Sequence, residues 1–140
     1  MYRKIAPWLV LSVLAFAAPG CGGGSWTYQV VGLDRDRGAE GEIQVEQIEG
    51  GNRMVTARFD HLTPPARHGE GMTTFVMWFR DSRGQATKAG ILEYNEDERT
   101  GRATATTPMT QFTIMVTVER SAEVVGPSDV VVVRHRADTE

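Results

Sequence analysis

Residues 111–119 read QFTIMVTVE, and the spacing of their apolar side chains decides the fold class. Apolar residues stand at every second position, namely at Phe112, Ile114, Val116 and Val118. Side chains of a β-strand point alternately to the two faces of a sheet, so a period of two predicts a strand rather than a helix. One face of this strand is expected in the core. Thr113 and Thr117, on the other face, are expected to meet solvent or a partner.

Seven more segments have strand character, which gives about eight strands and no convincing helix. They are residues 26–31, 42–46, 55–60, 73–79, 88–94, 102–107 and 130–133. The turn residues Gly50-Gly51-Asn52 join the second and third of these segments and predict a β-hairpin. Segment 73–79 is apolar on both faces and is predicted to be a central strand. The threonine-rich segment 102–107 is predicted to lie at an edge.

This pattern predicts an all-β fold, an antiparallel Ig-like β-sandwich of about seven or eight strands, with a small barrel as the alternative. Trp78 is expected to anchor the core and to face the sheet that carries Phe112–Val118. The single cysteine excludes an internal disulfide and a cysteine-based zinc site, so apolar packing must hold the sandwich together. The net charge of −3 gives no basic face, so nucleic acid is not an expected partner.

The first twenty residues differ in composition from the rest of the chain. Arg3 and Lys4 precede an uncharged apolar stretch, Ile5–Ala18. A membrane-spanning helix needs roughly 20 apolar residues, so this stretch is too short, but it has the length and polarity of the hydrophobic region of a signal peptide. Residues 1–20 are therefore predicted to be a signal peptide that is removed by processing.

The only cysteine ends this apolar stretch, in the sequence Ala18-Pro19-Gly20-Cys21. The sequence resembles the lipobox of bacterial lipoprotein precursors, with Ala18 where leucine is commonest and Pro19 where a small residue is usual. The resemblance implies that the Cys21 thiol accepts a diacylglyceryl group, that the chain is cut before Cys21, and that the new amino group is acylated. Several acyl chains would hold the protein stably at a membrane. Residues 21–25 would then form a lipidated cysteine and a glycine-rich tether.

Two further points concern the location of the protein. Gly22 after the cysteine implies the outer membrane if the host is Gram-negative. The alternative is ordinary secretion, because Ala15-Phe16-Ala17 also matches a small-x-small cleavage site. In that case, cleavage near Ala17 or Ala18 would release a soluble domain with a free thiol.

A second resemblance covers residues 75–133. Its motifs are Phe75 and Trp78, Ala89–Leu92, Gly101–Ala103, Val116–Glu119 and Pro127-Ser128. Together they are similar to the extracytoplasmic C-terminal domain of anti-sigma-K-type factors, with Asp129 where glycine is usual. We find no counterpart of that family's sigma-binding domain or transmembrane helix, so the resemblance implies the Ig-like module without anti-sigma activity.

Charged and histidine side chains give no metal-binding pattern. His61 and His68 flank a Pro64-Pro65 loop at a spacing that matches no compact ligand set. A metal site with Asp60 or Glu70 is therefore not expected, and these histidines, like His135, are expected to be solvated. The acidic cluster Asp34, Asp36, Glu40 and Glu42 is interleaved with arginines, which predicts a solvated, charge-balanced loop rather than a calcium site. Residues 95–99 are predicted to be a solvated hairpin tip.

No residue has the sequence context of a catalytic nucleophile either. The serines, at positions 25, 82, 121 and 128 beyond the apolar stretch, lie in linkers or turns without a Gly-x-Ser-x-Gly elbow. We therefore expect no catalytic residue, no cofactor and no enzyme activity. Loop 62–71 combines two prolines with two glycines, and it has two interpretations: a crossover between strands of different sheets, or a dedicated binding loop.

These expectations combine into one domain plan. A signal peptide (1–20) precedes the lipidated cysteine and tether (21–25), a β-sandwich domain (26–136) and a polar C-terminal tail (137–140). The expected function is that of a lipid-anchored cell-envelope protein whose non-catalytic domain binds or scaffolds an envelope protein or ligand. The alternatives are a soluble secreted domain and an envelope enzyme.

Overall fold

A computed structural model of the chain describes residues 23–140, so the predicted signal peptide and Cys21 lie outside the described residues. Within 23–140 the fold is all-β, and its only helices are two short 3₁₀ turns. The nine strands are β1 (Ser25–Val31), β2 (Glu40–Gln47), β3 (Arg53–Asp60), β4 (Thr74–Arg80), β5 (Ala86–Ile91), β6 (Glu93–Asn95), β7 (Thr100–Thr107), β8 (Gln111–Glu119) and β9 (Val131–Asp138). The 3₁₀ turns are Glu49–Gly51 and Pro65–Arg67.

The strands form two antiparallel sheets, ordered β1-β2-β3-β7-β6 and β5-β4-β8-β9. If β1 is set aside, the order matches strands A, B, E and D of an immunoglobulin domain in one sheet and C′, C, F and G in the other. The predicted antiparallel Ig-like β-sandwich is therefore confirmed, with β1 as an additional edge strand.

The inter-sheet core is built from the alternation that the sequence indicates. In β8 the side chains of Phe112, Ile114, Val116 and Val118 are all buried in the main hydrophobic cluster. The hairpin β2–β3 forms at the predicted turn, and β4 lies between β5 and β8 as expected for a central strand.

The ninth strand arises because the predicted strand 88–94 is split between the two sheets. β5 pairs with β4, the chain changes sheets at the buried Leu92, and β6 pairs with β7. β6 covers only Thr100–Arg102 of β7, so β7 is an edge strand from Ala103 to Thr107. The predicted edge position is thus correct for the second part of that strand.

Trp78 does not lie in the inter-sheet core, so that expectation was wrong. β4 belongs to the same sheet as β8, and Trp78 lies on the outer face of this sheet in a separate cluster with Val76 and Met115. Val124, from the loop that follows β8, packs against this cluster. Both faces of β4 are apolar, so periodicity alone could not tell which face meets the other sheet.

The expected polar tail at 137–140 is part of the domain. β9 extends to Asp138, and both Ala137 and Thr139 are buried. Arg53 donates from Nε to Thr139 Oγ1 (2.9 Å) and from Nη2 to the Thr139 carbonyl (3.1 Å). Thr139 Oγ1 donates in turn to the carbonyl of Thr110 (2.7 Å). Ala137 is a core position of β9, but the exposed Arg134 and Arg136 before it give the segment the polar composition of a tail.

The expected tether is also shorter than residues 21–25. Ser25 is the first residue of β1, and the carbonyl of Gly24 accepts a hydrogen bond from the amide of Gln47 at 2.8 Å. The fold therefore holds the chain from Gly24 onward.

One side of the sandwich, between β1 and β9, is closed by aromatic side chains. The rings of Tyr28 and His135 lie 4.5 Å apart, and Tyr28 Oη donates to the carbonyl of Asp138 at 3.1 Å. His135 Nε2 is buried without a hydrogen-bond partner in the described range, and burial lowers the pKa of this imidazole below its usual 6.5. The expectation of a solvated His135 was therefore wrong.

This histidine should make stability depend on pH. In the unfolded chain His135 takes up its proton near its ordinary pKa of about 6.5, whereas the folded protein keeps it neutral to lower pH. The free energy of unfolding should therefore fall as the pH drops below that value. We expect the urea midpoint to decrease between pH 7.5 and pH 5. The decrease should be smaller in His135→Phe, which keeps a ring beside Tyr28, and an equal decrease in both proteins would contradict this prediction.

The two ends of the sandwich differ in the length of their loops. β1 begins at the end that carries three short connections, at residues 48–52, 81–85 and 108–110; we call this the proximal end. The opposite or distal end carries four connections at residues 32–39, 61–73, 96–99 and 120–130, three of which are long. The longest loops therefore lie at the end furthest from where the chain enters the fold.

Candidate functional site

Asp36 joins two of the loops at the distal end. Its side chain is only 1% exposed, although the sequence predicts a solvated position. The amide of Thr63 donates to both carboxylate oxygens (3.2 and 3.1 Å), and Thr63 Oγ1 donates to Oδ1 (2.8 Å). A buried carboxylate requires such donors, because burying an unpaired charge is costly. Asp36 therefore ties loop 32–39 to loop 61–73.

His68 packs beside this carboxylate and is also buried, with 3% of its side chain exposed. Its Nε2 lies 3.6 Å from Asp36 Oδ2 and 3.2 Å from the carbonyl of Thr63. The Thr63 hydroxyl hydrogen is directed to Asp36 rather than to an imidazole base, which does not match the nucleophile–base arrangement of a catalytic triad. These three residues therefore have the geometry of a structural tie between loops.

The turn between β6 and β7 is attached to the same network. The carbonyl of Leu62 accepts hydrogen bonds from Arg99 Nε (3.0 Å) and Tyr94 Oη (3.2 Å), and Arg99 has a left-handed backbone conformation with φ of 58°. Burial raises the pKa of Tyr94, partly offset by the nearby Arg99 charge, so its hydroxyl remains a donor. Residues 95–99 are thus not merely a solvated tip.

The fourth distal loop, 120–130, is held by Glu119. The amide of Ser128 donates to both carboxylate oxygens of Glu119 at 2.9 Å. Thr117 Oγ1 donates to Glu119 Oε2 (3.0 Å) and accepts from Trp78 Nε1 (2.8 Å). Thr117 is fully buried, contrary to the exposed position expected from the sequence. This chain of hydrogen bonds fixes the loop over the outer face of the second sheet.

Apolar side chains are exposed at or near this end. Val125, in loop 120–130, is 98% exposed, and Val31, at the distal end of β1, is 71% exposed. Ile91, at the end of β5 where the chain changes sheets, is 45% exposed. Single exposed apolar residues are common on protein surfaces, but these large ones share one half of the described domain. The distal end therefore combines rigidly tied loops with exposed apolar contacts.

The other charged and histidine residues that the sequence analysis considered do not form a common cluster. His61 lies 3.7 Å from Glu40, and Arg37 Nη2 lies 3.1 Å from Asp34, both as exposed surface pairs. In the range 23–140 no three His, Cys, Asp or Glu side chains form a group suited to a metal ion. Loop 62–71 does connect β3 in one sheet with β4 in the other, which agrees with the crossover interpretation.

Sequence reasoning missed the two buried carboxylates for different reasons. Asp36 lies in a loop, where no periodicity distinguishes a buried side chain from an exposed one. Glu119 does follow the alternation of β8, on the face of Thr117, but nothing within β8 itself indicates a cover for that face. The apolar character of both faces of β4 was the available signal that something covers the second face.

Comparisons with known proteins assign no function to this site. No family model, no curated protein and no solved structure matches the chain. In the described range, no helix has the length and apolar character needed to cross a membrane.

Proposed function

We propose that the protein is a lipid-anchored component of the bacterial cell envelope, whose non-catalytic Ig-like domain binds a partner through its distal end. The observation that carries the proposal is the position of the only cysteine. Cys21 ends the apolar stretch and is separated from β1 by three glycines. Acyl chains on Cys21 would attach the proximal end to the membrane and direct the long loops away from it.

Three features of the distal end support a role in partner binding. Asp36 ties loop 32–39 to loop 61–73 and Glu119 holds loop 120–130 against β8, so a binding surface would already be ordered before a partner arrives, which lowers the entropic cost of association. Val125 offers an apolar side chain that no part of the described domain covers. In antibody variable domains, the B–C and F–G loops at the corresponding end carry the binding residues, an analogy of fold alone.

The anchor is tested by intact mass and membrane fractionation. The wild-type protein extracted from membranes should begin at Cys21 and carry added acyl mass. Cys21→Ser should lose both the added mass and membrane retention. The double variant Cys21→Ser/Ser25→Cys, which keeps a thiol four positions later, should behave like Cys21→Ser. A wild-type chain cut near Ala17 or Ala18 without acyl mass would overturn the proposal in favour of soluble secretion.

The same membranes allow a test of the distal end. A photo-crosslinking amino acid at Val125 should form a discrete adduct with an envelope component in the native host. The matched control is the same amino acid at Ser82, in an exposed proximal turn, which should form no such adduct. Adducts from position 82 alone, or equally from both positions, would show that partners do not select the distal end.

A further inference from the structure

The side of the sandwich opposite Tyr28 and His135 is open. Here β5, an edge of one sheet, faces the free part of β7, an edge of the other. A groove of about 500 Å³ lies between them, and a second cavity of about 350 Å³ adjoins it toward Ile91. The larger groove is lined mainly by small side chains, such as Ala89 and Ala105, and by Phe79 and Met109. Lys88 also lines it, and its Nζ donates to the carbonyl of Ala122 at 2.8 Å. We call this feature the open seam.

The free edge of β7 is a consequence of the sheet change at Leu92. β6 pairs with β7 in a register that sets Glu93 opposite Arg102. If that register continued, residues 88–92 would lie opposite residues 103–107. Residues 88–91 instead turn away from β7 and pair with β4 as part of β5. Within residues 23–140, five residues of β7 are thus left with no neighbouring strand on the side away from β3, and the backbone donors and acceptors that point to this side stay unpaired.

We propose that the open seam binds an extended segment of a partner protein, which adds to β7 at Ala103–Thr107 as an antiparallel strand in line with β6. A repeating row of amides and carbonyls is matched along its length by another extended backbone. Five paired residues span about 17 Å. This inference goes beyond the proposed function and does not depend on the lipid anchor.

The seam also indicates which side chains the segment should carry. Ala103 and Thr107 are buried and Ala105 is half-buried, whereas Thr104 and Thr106 are exposed, so alternate residues of an added strand would point into the groove. These inward positions meet Phe79, Ala89 and Met109 and should be apolar. The free part of β7 carries no charge, proline or bulge of the kind that commonly blocks edge pairing.

A second copy of this chain is the less favourable occupant. Pairing of two β7 edges about a two-fold axis would set Ala105 against its own copy. Each strand would keep its inward side chains in its own domain, so the groove would stay unfilled. An independent segment with apolar residues at alternate positions can both pair with β7 and fill the groove.

The test uses three pools of fluorescent seven-residue peptides with threonine at odd positions and Val, Leu or Phe at even positions. The first pool is unmodified, the second is N-methylated at the threonine amides, and the third is N-methylated at the other amides. An edge strand uses only alternate amides toward its neighbour. We therefore expect saturable binding of the first pool to the purified protein and at least a tenfold loss in one methylated pool but not the other.

A variant that fills the groove tests whether the peptides bind there. Ala89→Leu should weaken peptide binding at least tenfold, whereas Ala66→Leu, on the exposed part of loop 61–73, should leave it unchanged. Amide NMR shifts should concentrate at 103–107, and thermal melts of both variants should confirm folding.

No saturable binding, equal effects of both methylations, or shifts centred on β1 would overturn the proposal. Concentration-dependent self-association abolished by Thr104→Lys, but not by Thr56→Lys in the neighbouring strand, would assign the edge to a second copy instead.

Discussion

Replacing Trp78 with alanine should lower the free energy of unfolding by about 3–5 kcal/mol, the range for large aromatic truncations in protein cores. The side chain is 0% exposed and packs with Val76 and Met115 under loop 120–130. Its removal would leave a cavity on the outer face of the second sheet and would also remove the donor to Thr117 Oγ1. Urea unfolding followed by far-ultraviolet circular dichroism measures the effect without relying on tryptophan emission.

Two other tryptophan variants separate the contribution of the buried ring from that of the indole hydrogen bond. Trp78→Phe keeps most of the buried ring but loses the indole N–H, so it should cost about 1–2 kcal/mol. Trp26→Ala removes a partly buried ring that lies 5.6 Å from the Arg53 guanidinium, and it should cost less than Trp78→Ala. An unfolding free energy for Trp78→Ala no lower than that of Trp26→Ala would mean that the outer-face cluster does not contribute as described.

Asp36→Ala should lower the free energy of unfolding by about 2–4 kcal/mol, because it removes charge-assisted hydrogen bonds and leaves a part-buried amide without a partner. Thr63 loses the acceptor of both its amide and its hydroxyl, and His68 loses the neighbouring carboxylate. Hydrogen exchange should accelerate in loops 32–39 and 61–73 before it changes in the strands. Urea unfolding and exchange mass spectrometry together give the two readouts.

The matched control is Asp34→Ala, two residues earlier in the same loop. Asp34 is 93% exposed and pairs with Arg37 at the surface, so its loss should change stability by less than about 0.5 kcal/mol. Asp36→Asn should fall between the two, since its amide oxygen still accepts from Thr63. Equal stabilities of the Asp34 and Asp36 variants would contradict the structural role of the buried carboxylate.

The strands were predictable because their chemistry is periodic. Phe112–Val118 in β8 and the turn residues Gly50-Gly51 each carry local information that is sufficient for a strand and a hairpin. The sheet change at Leu92 was not predictable, because residues 88–94 have one continuous apolar pattern and only the competition between β4 and β7 decides how it divides. Trp78 was misplaced for the related reason that both faces of its strand are apolar.

The distal end was only partly predictable from the sequence. For loop 62–71 the sequence left a crossover and a binding loop as alternatives, and the loop does cross from one sheet to the other. The burial of Asp36 depends on Thr63, 27 residues away, and local composition holds no record of such a contact. The same limit applies to Thr139 and Arg53, which are 86 residues apart and together bring the supposed tail into the domain.

The hydrogen bond between Gly24 and Gln47 limits how far the domain can stand from the membrane if Cys21 carries the anchor. The free span from Cys21 to Gly24 is three residues, or about 10 Å when fully extended. Strands of seven to nine residues add roughly 25–30 Å along the sandwich. The distal loops would then lie at most roughly 35–40 Å from the bilayer surface. A partner whose contact site lies further than that from the lipid would be out of reach.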